Sequence, residues 1–139
     1  MIAVDTSALV KKYLDEEHSQ WMEDLMADDQ KWCGSMLLAT ECPVAVARDV
    51  ELTDVLNVVD QELTRDLDRF NLIPVDADCL VNAVDIGRAF GLRTLDAIHL
   101  AAARLWRDLA GHRDQLVCRL AHCRHGDDDV LGARARVLD

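Results

Sequence analysis

Residues 91–104 read GLRTLDAIHLAAAR, and this stretch decides the fold. Thr94 is a good helix N-cap, and Asp96 falls in the first turn behind it. Ile98, Ala102, Leu105 and Leu109 recur at helical spacing and predict one apolar stripe. Ala97, Ala101, Ala102 and Ala103 keep the helix slim, so that it can lie close against a sheet. Asp96 and His99, three residues apart, share one helical face. Each has an ordinary structural explanation when taken alone. A carboxylate in a first turn is favoured by the helix dipole, and a histidine beside an apolar stripe is commonly a satisfied core residue.

Working outward, the rest of the chain supplies a sheet for this helix. Met1–Val4 is an apolar run too short for a helix and suited to a buried parallel strand, ending at Asp5-Thr6-Ser7. Thr6 or Ser7 can cap the next helix, whose apolar side is Leu9, Val10, Tyr13 and Leu14. Helical patterns follow at 16–27, with Trp21, Met22, Leu25 and Met26 on its core side, and at 35–50, where Pro43 moves the expected start to Thr40. A third covers 53–69, with the stripe Val55, Val58, Val59, Leu63 and Leu67. Short strands are predicted at 31–34, 71–75 and 115–118. Asp76 or Asp78 caps a helix over 79–90, which Gly91 closes. Strands alternating with helices imply a parallel sheet covered on both faces, a three-layer α/β/α sandwich. The expected division is a domain over 1–118 and a divergent, loosely packed tail over 119–139.

The 139 residues suffice for one core, and no apolar run approaches membrane-spanning length. The N-terminus has no basic region ahead of an apolar one, so a cytoplasmic protein is expected. Five cysteines without regular spacing are expected to be reduced, three of them as small core residues. A net charge of −11 argues against simple nucleic-acid binding. The charge is uneven, however. Residues 1–70 hold six Lys/Arg against sixteen Asp/Glu, whereas residues 71–139 hold nine, all arginine, against ten. An acidic protein can act on RNA if cations neutralise its acidic site and arginines line the substrate path.

In open parallel sheets, ligands bind beyond the carboxyl ends of the strands. Asp5 ends the first strand, and Glu41 and Asp96 lie in first turns of later helices, so all three could face that end. Converging carboxylates would need a cation, and hard oxygen donors suit Mg²⁺ or Mn²⁺ rather than zinc. Such a metal lowers the pKa of bound water and clamps a phosphodiester for in-line attack.

Three motifs in order carry a family resemblance. VDTSALVK, at 4–11, resembles the first acidic motif of PIN-domain ribonucleases, with Asp5 as metal ligand and Thr6 or Ser7 supporting it. SMLLATE, at 35–41, is similar to the second, with Glu41 as its acid, and LRTLDAIHLAAA, at 92–103, to the third, with Asp96 as ligand and His99 beside it. The likeness is strongest to the toxin subunits of VapBC-type toxin–antitoxin pairs. It implies an Mg²⁺-dependent endoribonuclease (Mn²⁺ being the alternative), an RNA substrate, a cognate antitoxin and a homodimer, with no membrane partner. The family usually closes with T-x-D after the next strand. Here Leu116-Val117-Cys118 runs into Arg119-Leu120-Ala121, leaving Asp114 as the nearest upstream candidate for a fourth ligand and Asp127–Asp129 downstream. That departure supports a second expectation, a catalytically impaired PIN-like protein that still binds an antitoxin. A phosphotransferase with Asp5 as nucleophile would carry a second Asp at position 7, where Ser7 stands. Cys118, His122, Cys123 and His125 match no usual zinc spacing.

Overall fold

The computed structural model describes residues 2–15, 18–111, 117–121 and 132–136. Strand β1 (Ile2–Ala3) leads into a single helical turn, α1 (Thr6–Leu9), and a 3₁₀ turn at Val10–Lys12. Helix α2 (Ser19–Asp28), strand β2 (Trp32–Ser35), and helices α3 (Leu38–Asp49) and α4 (Thr53–Leu67) follow. Strand β3 (Asn71–Ile73) then precedes helices α5 (Ala77–Phe90) and α6 (Thr94–Leu109). The last elements are strands β4 (Val117–Ala121) and β5 (Gly132–Arg136).

β1, β2 and β3 form one parallel sheet with β2 in the middle. Its register pairs Ala3 with Cys33 and Ser35 with Ile73. Successive side chains on a strand point to opposite faces, and the core divides accordingly. Ile2, Val4 and Trp32, with the partly buried Leu72 against them, join one cluster with Met22, Leu25 and Met26 of α2, Leu38, Cys42 and Val46 of α3, and Val59 and Leu63 of α4. Ala3, Cys33 and Ile73 turn the other way, towards Ala103 of α6 and, for Ile73, the cluster of Cys79, Ala83 and Ile86 with Ala97, Ile98, Ala101 and Ala102. Helices therefore cover both faces of the sheet, the expected α/β/α arrangement. The small residues of α6 let it sit close. A Cβ on Gly87 of α5 would reach the Ala97 Cβ at 3.4 Å, ordinary contact distance.

The caps follow local chemistry. Asp76 accepts from the Cys79 amide at 3.0 Å, and Gly91 closes α5 in the left-handed region at φ +64°. At α6 the expectation is corrected: Arg93, extended, is the N-cap and makes no side-chain capping bond, while Thr94 is already helical. α1 is likewise capped by Asp5 rather than Thr6 or Ser7. α3 starts at Leu38, before the expected Thr40, because the turn at Met36–Leu37 feeds it directly; Pro43 then stands inside the helix and leaves the Ala39 carbonyl without its helical donor. Glu41 stays in the first turn. The α4 stripe is also corrected. Val59 and Leu63 are buried, but Val55 and Val58 are exposed because α4 packs on α3 along a narrower face. Leu109, expected in the α6 stripe, is exposed at the last turn of the helix.

A polar contact ties the 3₁₀ turn to α4. Buried Asp66 accepts from the Tyr13 hydroxyl at 2.6 Å and from the Lys12 ammonium. Cys33, Cys42 and Cys79 are buried, as expected of small core residues. β4 runs near β1 and pairs antiparallel with β5, Val117 opposite Arg136 and Ala121 opposite Gly132. β4 thus continues three residues past the strand expected at 115–118. Among the described residues no helix is long and apolar enough to cross a membrane.

Candidate active site at the carboxyl end of the sheet

Asp5 leaves β1 at its carboxyl end and is buried, 4% exposed. Its Oδ1 accepts from the Ala8 amide at 2.9 Å and from the Ser7 hydroxyl at 2.9 Å. The α1 turn is thereby built onto this carboxylate, which two donors orient. Thr6 points to the neighbouring element and donates its hydroxyl to Glu41 Oε2. Glu41 stands one turn into α3, which follows β2, the strand hydrogen-bonded to β1. His99 of α6, 5% exposed, reaches the same Glu41 oxygen, with Nε2 at 3.1 Å. Its other ring nitrogen, Nδ1, lies 3.0 Å from the hydroxyl of Ser35, the fully buried last residue of β2.

The Cys42 thiol registers how close the two acids are. Its pKa is pushed up to about 12, first by burial and then by the charges of Glu41 and Asp5, while a hydrogen bond with Thr6 pulls the other way. Two carboxylates, three hydroxyls and an imidazole are therefore gathered where the parallel strands end. Such a group of hard oxygen donors suits a divalent cation of the Mg²⁺ type by its chemistry.

Asp96 sits differently. It lies in the first turn of α6, and its Oδ2 accepts from Arg93 Nε at 3.0 Å. The arginine side chain is 79% exposed, and Asp96 is 19% exposed. Among the described residues, no group of three or more His, Cys, Asp or Glu is arranged to hold a metal ion. Of the three expected carboxylates, Asp5 and Glu41 thus share one neighbourhood, while Asp96 pairs with the arginine that caps its own helix. Asp114 lies outside the described residues, as do His122, Cys123, His125 and Asp127–Asp129.

Sequence reasoning placed Asp5, Glu41 and Asp96 at helix starts and put Thr6, Ser7 and His99 beside them. It gave no role to Ser35 or Cys42. The available signal for Ser35 was a polar residue closing the apolar run Trp32-Cys33-Gly34. For Cys42 it was adjacency to Glu41 alone.

The sequence model described as the PIN domain matches residues 2–122. The match spans every element from β1 to β4. A comparison with the curated proteins finds no match.

Proposed function

Because the chain belongs to the PIN domain family, whose members are generally metal-dependent nucleases, we propose that it is an endoribonuclease and the toxin of a VapBC-type toxin–antitoxin pair. The observation that carries this reading is the cluster of Asp5, Thr6, Glu41 and His99 beyond the carboxyl ends of β1 and β2. Asp5, Glu41 and Asp96 would hold Mg²⁺, or Mn²⁺ in its place, with Asp114 as a candidate fourth ligand. When bound, the ion supplies activation of water and neutralisation of charge on the scissile phosphate.

The chain's own residues prepare that site. The Ala8 amide and Ser7 hydroxyl fix one oxygen of Asp5. Thr6 fixes one oxygen of Glu41. The exposed Arg93 guanidinium pairs with Asp96 and is placed to exchange that carboxylate for an RNA phosphate, since arginine binds both in forked geometry. RNA binding by an acidic chain then depends on cations at the carboxylates and on such arginines.

The partner assignments belong to the same proposal. Exposed Leu80, Val81 and Val84 form an apolar patch on α5, and Val55 and Val58 another on α4. Patches of this kind support a homodimer and an antitoxin helix as the surfaces' occupants. A cytoplasmic location fits that pairing.

The test is cleavage of total RNA by purified protein with Mg²⁺ or Mn²⁺ and with chelator. Asp5→Asn, Glu41→Gln and Asp96→Asn should each abolish cleavage while leaving the circular dichroism spectrum unchanged. Near-normal cleavage by any one variant removes that residue from the site. The Asp96–Arg93 pair favours one alternative, an impaired PIN-like protein that binds an antitoxin without efficient cleavage. Tight co-purification with the neighbouring gene product, together with cation-independent silence on RNA, would select that alternative.

A further inference from the structure

Among the described residues, Glu41 is held at one of its two oxygens. Thr6 and His99 both bond Oε2, and no hydrogen bond to Oε1 occurs among the described residues. The carboxylate is a quarter exposed, whereas the imidazole is 5% exposed. A carboxylate can only accept, so Nε2 of His99 carries the hydrogen of that contact. In the neutral ring Nδ1 is then the acceptor, and the buried Ser35 hydroxyl donates to it. Ser35 belongs to the central strand of the sheet, so the chain of bonds runs from β2 through α6 to α3. Each link supports the next: the strand orients Ser35, Ser35 fixes the tilt of the His99 ring, and His99 sets the rotamer of Glu41.

We propose that His99, with Ser35 behind it, is the positioning residue of Glu41, holding Oε2 so that Oε1 is presented to a divalent cation. The assignment rests on the nuclease reading and gives His99 a role in it. Partners that orient a ligating group are worth about 10–100-fold in metal affinity or activity when removed. His99→Ala should therefore weaken Mn²⁺ binding and lower kcat for RNA cleavage about 10–100-fold, with KM for RNA little changed. His99→Gln, whose amide can still donate to Glu41, should recover most of that loss. Ser35→Ala should show a smaller loss of the same kind.

The experiment is isothermal titration with Mn²⁺ alone, alongside cleavage kinetics, on wild type, His99→Ala, His99→Gln, Ser35→Ala, Glu41→Gln and the Glu41→Gln/His99→Ala double variant. If His99 acts through Glu41, the double variant binds Mn²⁺ as weakly as Glu41→Gln, not weaker. A further tenfold loss in the double variant overturns the assignment, because His99 would then act independently of Glu41. So does a folded His99→Ala that binds Mn²⁺ within twofold of wild type. In both cases a wild type sensitive to Glu41→Gln keeps the nuclease reading intact. Wild type that neither binds Mn²⁺ nor cleaves RNA defeats the nuclease reading and this assignment together. Should His99→Ala fail to fold, His99→Gln and Ser35→Ala decide: rescue in the first with loss in the second supports the assignment, and the reverse order overturns it.

Discussion

Replacing Gly34 by alanine probes the tightest point behind the site. Gly34 lies in the middle strand, between Cys33 and Ser35, and its backbone is the floor on which α3 begins. A Cβ built there would overlap Leu38 Cδ1 and approach the Val4 carbonyl oxygen to 3.0 Å. Leu38 is fully buried and the carbonyl belongs to the neighbouring chain segment, so neither side yields freely. Overpacking of this kind costs about 1–3 kcal/mol. Alanine also loses less chain entropy than glycine on folding, which offsets about 0.5–1 kcal/mol. The net expectation is a loss of about 0.5–2 kcal/mol. With a mid-range urea slope of about 2 kcal/mol per molar, the unfolding midpoint should fall by roughly 0.3–1 M. Leu38 opens the helix that carries Glu41 one turn later, so cleavage should fall as well. Gly87→Ala is the matched control, because its new methyl meets Ala97 at an ordinary 3.4 Å inside a helix. That variant should be neutral or up to about 1 kcal/mol more stable. A Gly34→Ala midpoint at or above wild type, measured beside that control, would refute the close-packing argument.

Two further outcomes follow from the carboxylates. Asp5→Ala removes the acceptor for the Ala8 amide and the Ser7 hydroxyl and should cost about 0.5–2 kcal/mol in urea unfolding, whereas Asp5→Asn keeps an oxygen there, relieves repulsion with Glu41, and should match or exceed wild type. Equal destabilisation by both would show that charge, not capping, is what Asp5 contributes to the fold. The second concerns alkaline pH. The folded protein retains a Cys42 proton, up to about 12, that the unfolded chain sheds near 9.0, so this contribution to stability is complete below pH 9 and is lost as pH rises towards 12. Burial raises the Tyr13 hydroxyl in the same direction, with Asp66 adding to it. Urea midpoints taken from pH 8 to 11 should therefore decline, and Cys42→Ala, though less stable throughout, should decline less steeply; parallel curves would rule Cys42 out as a source.

Much of this arrangement was legible in the chain because it is local. Asp5 ending an apolar run, Asp76 three residues before Cys79, and Gly91 at the close of a helix each act within one turn. The core side of α2 was equally readable, since Met22, Leu25 and Met26 repeat with the helix. Errors arose where two local solutions compete. Thr94 can cap, but the chain uses an extended Arg93 and takes Thr94 into the helix. Val55 and Val58 fit the α4 period as well as Val59 and Leu63, and only the direction from which α3 packs separates them. The Ser35–His99–Glu41 chain was out of reach altogether. Its members are 64 and 58 residues apart, and their meeting depends on which strand takes the centre of the sheet. Asp96 illustrates the converse: its partner Arg93 is three residues away, a contact of helical spacing.

The spread of these contacts also bears on how the protein is born. Thr6 meets Glu41 across 35 residues, and Glu41 meets His99 across 58 more. Parallel pairing of β1, β2 and β3 is non-local throughout, so the sheet closes slowly compared with a helical bundle of similar size. A nascent chain therefore exposes Asp5 first, already held by Ser7 and Ala8, and Glu41 later, and Glu41 gains its His99 contact only once α6 has left the ribosome and docked. Any product released before residue 99 lacks the imidazole that would lock the second acid. The RNA-rich machinery that makes a nuclease of this design is therefore spared a fully ordered site until α6 has been made and docked.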